Sequence, residues 1–296
     1  GDTVRYAVDV AAAAGNNRSI AYDTLVSDTL PATESYVSGS LRVLRNGLPM
    51  NAGFTPSVVG QQIDVTIDKV QPGDDLRILY DVVLTQAVVA GGTVTNTANL
   101  TYTSLPSSGT SANPTGSTTP GTDGSGTGER NGSGGINDYA GQTDATISIT
   151  APDLEKSVFD ASPVETAANR FDPNLPDFTI GEVVTFRLTA TLPEGTTESL
   201  VLSDQLPVGM EFLEDIAGNL MAPPRVVAIG SNITGSSLTV GSLGVLDLAG
   251  GRVSFDFGTV VNSPDGVVND ADQVVVELQT QVQNLSALVA GGTLVN

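Results

Sequence analysis

Three short motifs occur twice in this chain, in the same order. Gly1-Asp2-Thr3-Val4-Arg5-Tyr6 is matched by Gly181-Glu182-Val183-Val184-Thr185-Phe186, and Val26-Ser27-Asp28-Thr29-Leu30-Pro31 by Leu202-Ser203-Asp204-Gln205-Leu206-Pro207. Ala90-Gly91-Gly92-Thr93-Val94-Thr95-Asn96 is matched by Ala290-Gly291-Gly292-Thr293-Leu294-Val295-Asn296. The offset is 180 from Gly1 to Gly181, 176 from Asp28 to Asp204 and 200 from Asn96 to Asn296. A fixed order with drifting spacing is the mark of tandem units whose loops differ in length. It predicts two copies of one build and argues against a single large enzyme fold.

The build is legible in the spacing of apolar residues. Val4-Arg5-Tyr6-Ala7-Val8, Ile63-Asp64-Val65-Thr66-Ile67, Val184-Thr185-Phe186-Arg187-Leu188 and Val253-Ser254-Phe255-Asp256-Phe257 alternate with period two. Such runs, rich in β-branched residues and separated by Gly, Pro, Asn and Asp, predict an all-β chain of two tandem immunoglobulin-like β-sandwich domains. The expected domains are 1–151 and 152–296, divided at Ala151-Pro152-Asp153. Residues 104–144 are Ser, Gly, Thr, Pro and Asn with few large apolar side chains, so they read as a long insertion in a terminal hairpin of the first domain. The second copy is longer between its Asp and Asn motifs, and the surplus is expected at about 214–252. The strand Leu154–Phe159 precedes the second copy without a counterpart before Gly1, and the segment after Asn96 has none after Asn296. The repeats are thus out of phase with the sequence, as in a window on a longer array or a subunit completed by a neighbour's strands.

Composition removes most enzyme classes. The 296 residues include no Cys, His or Trp. Thiol nucleophiles, disulfides, zinc–thiolate sites and histidine bases are therefore excluded. Thirty-three acidic residues against 12 basic ones give a formal charge of −21, which repels nucleic acid and anionic membranes. No apolar run approaches the roughly 18 residues of a membrane span. No enzyme activity and no cofactor are expected, except that acidic loops could recruit calcium. The candidate groups are Asp172 and Asn174 with Asp177, Asp265 with Asn269, Asp270 and Asp272, and Asp123 with Glu129 and Asp138; none has the spacing of a defined calcium loop.

The chemistry lies in polar residues whose strand parity turns them inward. Lys156 shares a face with Leu154 and Val158, Asp204 with Leu200, Leu202 and Leu206, and Asn96 with Val94, Ala98 and Leu100; Asn296 follows Leu294 in the same parity. An unpaired charge in a core is costly. A lysine, an acid and an asparagine aimed inward from an early, a middle and a late strand are the set a spontaneous isopeptide bond needs. Burial frees the amine to attack, and a buried acid can protonate the carboxamide as ammonia leaves. In a chain without cysteine, such a tie would do the work of a disulfide.

At these residues the chain resembles the isopeptide-forming repeats of bacterial fimbrial and surface-adhesin proteins, including the family called domain of unknown function 11. The matching pieces are the Gly-Asp/Glu strand start, the Ser-Asp-x-Leu-Pro strand end, the Gly-Gly-Thr-x-x-Asn strand and the Leu-Glu-Lys-Ser-Val opening. The run Gly128-Glu129-Arg130-Asn131-Gly132-Ser133-Gly134-Gly135, through Asn137-Asp138-Tyr139, also looks like one seen in such proteins. The resemblance implies Lys156 as amine donor, Asn296 as acceptor and Asp204 as assisting acid. Asp28 and Asn96 match the acid and acceptor of domain 1, for which the chain offers no lysine. It further implies an extracellular, cell-surface protein: a subunit or repeat of a bacterial filament, fimbria or stalk, partnered by copies of itself or adjacent repeats. The alternative is an adhesin whose loops at 104–144 and 214–252 contact a host or neighbouring cell surface.

Overall fold

A computed structural model describes residues 1–16, 18–103, 109–110, 113–114, 140–162, 178–214 and 219–284. The chain divides into two compact units, one of residues 1–88 with 93–149, the other of 89–92 with 150–296. The described residues are almost all strand and turn, as the alternation predicts.

In unit 1 the strands are β1 (Thr3–Ala11), β2 (Ala21–Thr29), β3 (Glu34–Tyr36), β4 (Arg42–Arg45), β5 (Leu48–Pro49), β6 (Phe54–Val59), β7 (Gln62–Val70), β8 (Asp75–Leu84) and β9 (Thr93–Thr103). After them come the short β10 (Gly109–Thr110) and β11 (Asn113–Pro114), then β12 (Ala140–Ser148). One sheet has the order β1-β8-β4-β5, with β3 also on β8; the other runs β12-β9-β2-β7-β6. Every pairing is antiparallel. Alternation puts Tyr6, Val8, Ile78, Tyr80 and Val82 of the first sheet against Val26, Ile63, Val65, Ile67 and Ala98 of the second, and these residues form one buried cluster. Arg5 and Arg77, on the outer face, pair with Asp81 and Asp9.

Unit 2 holds β13 (Asp153–Ser162), β14 (Val183–Thr191), β15 (Gly195–Gln205), β16 (Met210–Phe212), β17 (Arg225–Ile229), β18 (Ile233–Thr234), β19 (Val245–Asp247), β20 (Arg252–Asn262) and β21 (Gln273–Val282). One sheet has the order β13-β14-β21-β16, with β17 also on β21; the other has β15-β20-β18, with β19 also on β20. Its core sets Phe186, Leu188, Val274, Val276 and Leu278 against Leu200, Leu202, Val253, Phe255 and Phe257.

The repeat extends to individual hydrogen bonds. After β2, the Leu30 N–H donates to Gln61 O at 2.9 Å and the Glu34 N–H to Pro31 O at 3.0 Å. After β15, the Leu206 N–H donates to Gly251 O at 2.9 Å and the Met210 N–H to Pro207 O at 3.1 Å. Proline fixes φ at the corner in both copies, and the polar backbone there is satisfied in the same way. Registers agree as well: Tyr6 lies opposite Tyr80, and Phe186 opposite Leu278.

Length differences fall in connections. The window 214–252 contains β17, β18 and β19, which pair with β21 and β20, so much of the expected insertion is sheet. Part of the surplus lies further on, in the 263–272 connection, which carries a helical turn at Asp270–Asp272. Residues 115–139, most of the other expected insertion, lie outside the described residues.

The two units differ at one edge of each sheet. In unit 2, β13 covers the outer side of β14, whereas β1 ends its sheet. In unit 1, β9 and β12 extend the sheet beyond β2, whereas β15 pairs only with β20 among the described residues.

Candidate functional site

β15 enters the core of unit 2 with Leu200, Leu202 and Leu206 inward, and Asp204 falls on the same face. β13 runs antiparallel to β14 with Lys156 opposite Leu188. The lysine crosses to the other sheet, where its Nζ donates to Asp204 Oδ1 at 2.6 Å. The side chains are 20% and 9% exposed. The ammonium also lies over the Phe186 ring, 4.5 Å from its centroid, a position favoured by the negative ring face.

Burial lowers the Lys156 pKa, and the hydrogen bond and charge of Asp204 act in the opposite direction. The second carboxylate oxygen, Asp204 Oδ2, is buried with no hydrogen-bond partner. The lysine thus makes its charge-assisted hydrogen bond through one acid oxygen, and the other is left without a donor among the described residues. Leu154 and Val158 share the lysine's parity but remain exposed. The strand expected across from them, at 290–296 with Asn296, lies outside the described residues.

In unit 1 the inward acid meets a different environment. Asp28 Oδ2 accepts from Tyr80 OH at 2.5 Å and from Asn96 Nδ2 at 3.0 Å. The same amide nitrogen lies 2.9 Å from Tyr80 OH. Asp28 and Asn96, which the resemblance pairs as acid and acceptor, are brought into contact from β2 and β9. Beside them Tyr6 OH donates to Glu34 Oε1 at 2.5 Å, and the rings of Tyr6 and Tyr80 lie 5.6 Å apart. The repeat correspondence makes the contrast specific: Tyr6, Tyr80 and Glu34 stand where unit 2 has Phe186, Leu278 and Met210. Unit 1 gives its acid a tyrosine hydroxyl and an asparagine amide; unit 2 gives it an ammonium.

Tyr6, Glu34 and Tyr80 were not singled out in the sequence. Tyr80 shares parity with Ile78 and Val82, and this could have marked it as inward. Glu34 sits on a three-residue strand, too short for parity to show. Burial raises the pKa of both Asp28 and Glu34, against the lowering effect of their tyrosine hydrogen bonds.

The calcium candidates divide. Asp172, Asn174 and Asp177, like Asp123, Glu129 and Asp138, lie outside the described residues. Asp265 and Asp272 share the Asn232 amide, which donates to both, at 2.9 and 3.1 Å. Their other oxygens accept from the Val267 and Asn269 backbone N–H groups, each at 2.9 Å. Asn269 and Asp272 form a capping box around the turn that contains Asp270. These oxygens hold a loop together, and no group of three or more acidic side chains among the described residues is placed to hold a metal.

No protein-family model matches the chain, and no curated protein matches it. Several solved structures do. The chain is similar to the pilus backbone RrgB of Streptococcus pneumoniae, with 12% identity over 94% of this chain and 71% of that one, at a TM-score of 0.31. It is similar to the major pilin subunit BcpA of Bacillus cereus, with 12% identity over 90% and 57%, at a TM-score of 0.31. For an adhesive tip pilin of Group B Streptococcus agalactiae the identity is 14%, over 27% of this chain and only 18% of that one, at a TM-score of 0.25.

The raised carboxyl pKa values give unit 1 a signed pH dependence. A folded-state pKa above the unfolded one makes proton binding stabilising. That contribution is complete below the ordinary carboxyl range near ~4 and is lost as pH rises through the elevated folded values. Glu34→Gln keeps an acceptor for Tyr6 and removes one titrating group. In paired urea titrations of unit 1, the variant's midpoint should gain on the parent's as pH rises; parallel curves would place the Glu34 pKa at its unfolded value.

Proposed function

We propose that this chain is a structural subunit or repeat of an extracellular bacterial filament, of the isopeptide-forming fimbrial type related to domain of unknown function 11. In this reading Lys156 and Asn296 are joined covalently inside unit 2. The Lys156 amine attacks the Asn296 carboxamide carbon, the new C–N bond forms, and the old one breaks with loss of ammonia. Asp204 takes the amine proton and returns it to the leaving nitrogen. The observation that carries the reading is the Lys156–Asp204 contact at 2.6 Å, made from one sheet of unit 2 to the other beside the apolar cluster of Phe186, Leu188, Leu200 and Leu202. An ordinary surface ion pair needs no such placement, and a purely structural core would be more stable with apolar residues there.

The tie would link the strand that opens the unit to the one that closes it. A pulled sandwich would then bear load through covalent bonds rather than through strand-edge hydrogen bonds. Partners in this reading are copies of the chain or adjacent repeats, and no catalytic turnover is involved. Intact mass of a preparation containing both residues should be lower than the sequence mass by one ammonia, and Lys156→Met should abolish the deficit. An unshifted parent mass removes the cross-link. Micrographs of native material should show a regular axial repeat; a monodisperse monomer under assembly conditions removes the filament.

An adhesive role is a second reading, favoured by one observation. Met221, Val240, Leu243, Val245 and Leu248, all within 214–252, are more than half exposed. Apolar side chains so concentrated on one connection mark contact surfaces. Replacing Leu243, Val245 and Leu248 by Ser should abolish attachment to a target surface while leaving the thermal midpoint of unit 2 within a few degrees; retained attachment removes this reading.

A further inference from the structure

β13 carries Lys156 to the core, yet little of β13 is itself buried. It pairs only with β14 among the described residues. Leu154 and Val158, which flank the lysine on its own face, are 55% and 38% exposed. An edge strand held by one ladder and few inward contacts opens readily. On the outer face it gains a further contact, at Phe159.

The ladder passes over Phe159: Val158 lies opposite Phe186 and Asp160 opposite Thr185, with a shift of register between them. In a regular strand Asp160 would share the inward parity of Lys156 and Val158, and its charge would face the core. The extra residue returns Asp160 to the outer face, where it is exposed, and Ala161 takes the place opposite buried Val184. It also brings the Phe159 ring to Arg187, whose Cζ lies 3.5 Å from the ring centroid. Arg187 is held on its other side by β21, where its Nε and Nη2 donate to Glu277 Oε1 at 3.1 and 2.5 Å. A planar guanidinium can stack on a ring and pair with a carboxylate at once, which an ammonium does less well. In unit 1 the positions of Arg187 and Glu277 are taken by Ala7 and Leu79, which also lie opposite each other. The stack therefore belongs to the unit whose edge strand delivers a lysine.

We propose that Phe159 and Arg187 are positioning residues for Lys156: the ring–guanidinium stack, tied to β21 through Glu277, clamps β13 in register on β14 and so keeps the amine against Asp204. Phe159, Arg187 and Glu277 span three adjacent strands, β13, β14 and β21. A slip of one residue would carry Lys156 to the outer face, and fraying would release it to solvent. The role requires the Lys156–Asp204 contact, but neither the covalent bond nor the filament.

The test is acylation of the full chain with limiting acetic anhydride. Lys69 and Lys156 are its only lysines, so Lys69, exposed on β7, is the internal standard. Asn296→Ala in every sample keeps the Lys156 amine free whether or not the parent forms the cross-link. The ratio of Lys156 to Lys69 labelling should rise by on the order of threefold to tenfold in Phe159→Ala and in Arg187→Lys, the change expected for one such contact. Phe159→Tyr, which keeps a ring for the guanidinium, should hold the parent ratio, and slow exchange of the Val274–Leu278 backbone amides should persist throughout. An unchanged ratio in Phe159→Ala or Arg187→Lys overturns the proposal, as does a raised ratio in Phe159→Tyr. Loss of the β21 amide protection along with a raised ratio also overturns it, because the two residues would then support the whole unit rather than the lysine strand. A missing mass deficit or an absence of filaments would leave these readouts standing.

Discussion

A carboxyl group held inside a sandwich of valines and leucines must find a donor, because leaving it charged and unpaired costs on the order of several kcal/mol. Both units contain such a group at the same place, Asp28 at the end of β2 and Asp204 at the end of β15. The Leu-Pro corner that follows is built identically in both, so the acid's position is fixed by the backbone. What varies is the donor, and the rest of the local structure follows from it.

Unit 2 supplies an ammonium from β13 and sets it over the Phe186 ring. Unit 1 supplies the Tyr80 hydroxyl to Asp28, and adds a second acid, Glu34, which takes the Tyr6 hydroxyl where unit 2 has methionine. The two solutions differ electrostatically. Desolvation lowers the Lys156 pKa against the pull of Asp204, and desolvation holds the Asp28 carboxyl pKa up against its tyrosine hydrogen bond. One frame thus carries an amine–acid pair in one copy and an acid-rich polar cluster in the other.

The sheet edges complement this difference. Among the described residues, the strand that delivers the lysine in unit 2 has no equivalent beside β1, and the sequence motif of the strand that delivers Asn96 in unit 1 recurs at 290–296. Strand edges and buried polar groups are therefore two views of one requirement. A sandwich that places an acid between its sheets depends on its outermost strands for donors and acceptors as well as for backbone pairing.

The sequence alone determined the fold class, the repeat and the inward residues Asn96, Lys156 and Asp204. The inward set follows from parity, since neighbouring strand residues face opposite ways, and Asp28 follows from its match to Asp204 in the repeated motif. Tertiary structure decided what those side chains meet. Which hydroxyl reaches Asp28, and that Lys156 spans the core to Asp204, depend on how two sheets face each other, and local period carries no record of that. Glu34 shows the limit most plainly, because its strand is too short to display alternation and its partner, Tyr6, comes from a distant strand. The loop acids Asp265 and Asp272 show the converse. Their composition suggested a cation, but turn geometry turned the same oxygens onto backbone N–H groups and the Asn232 amide.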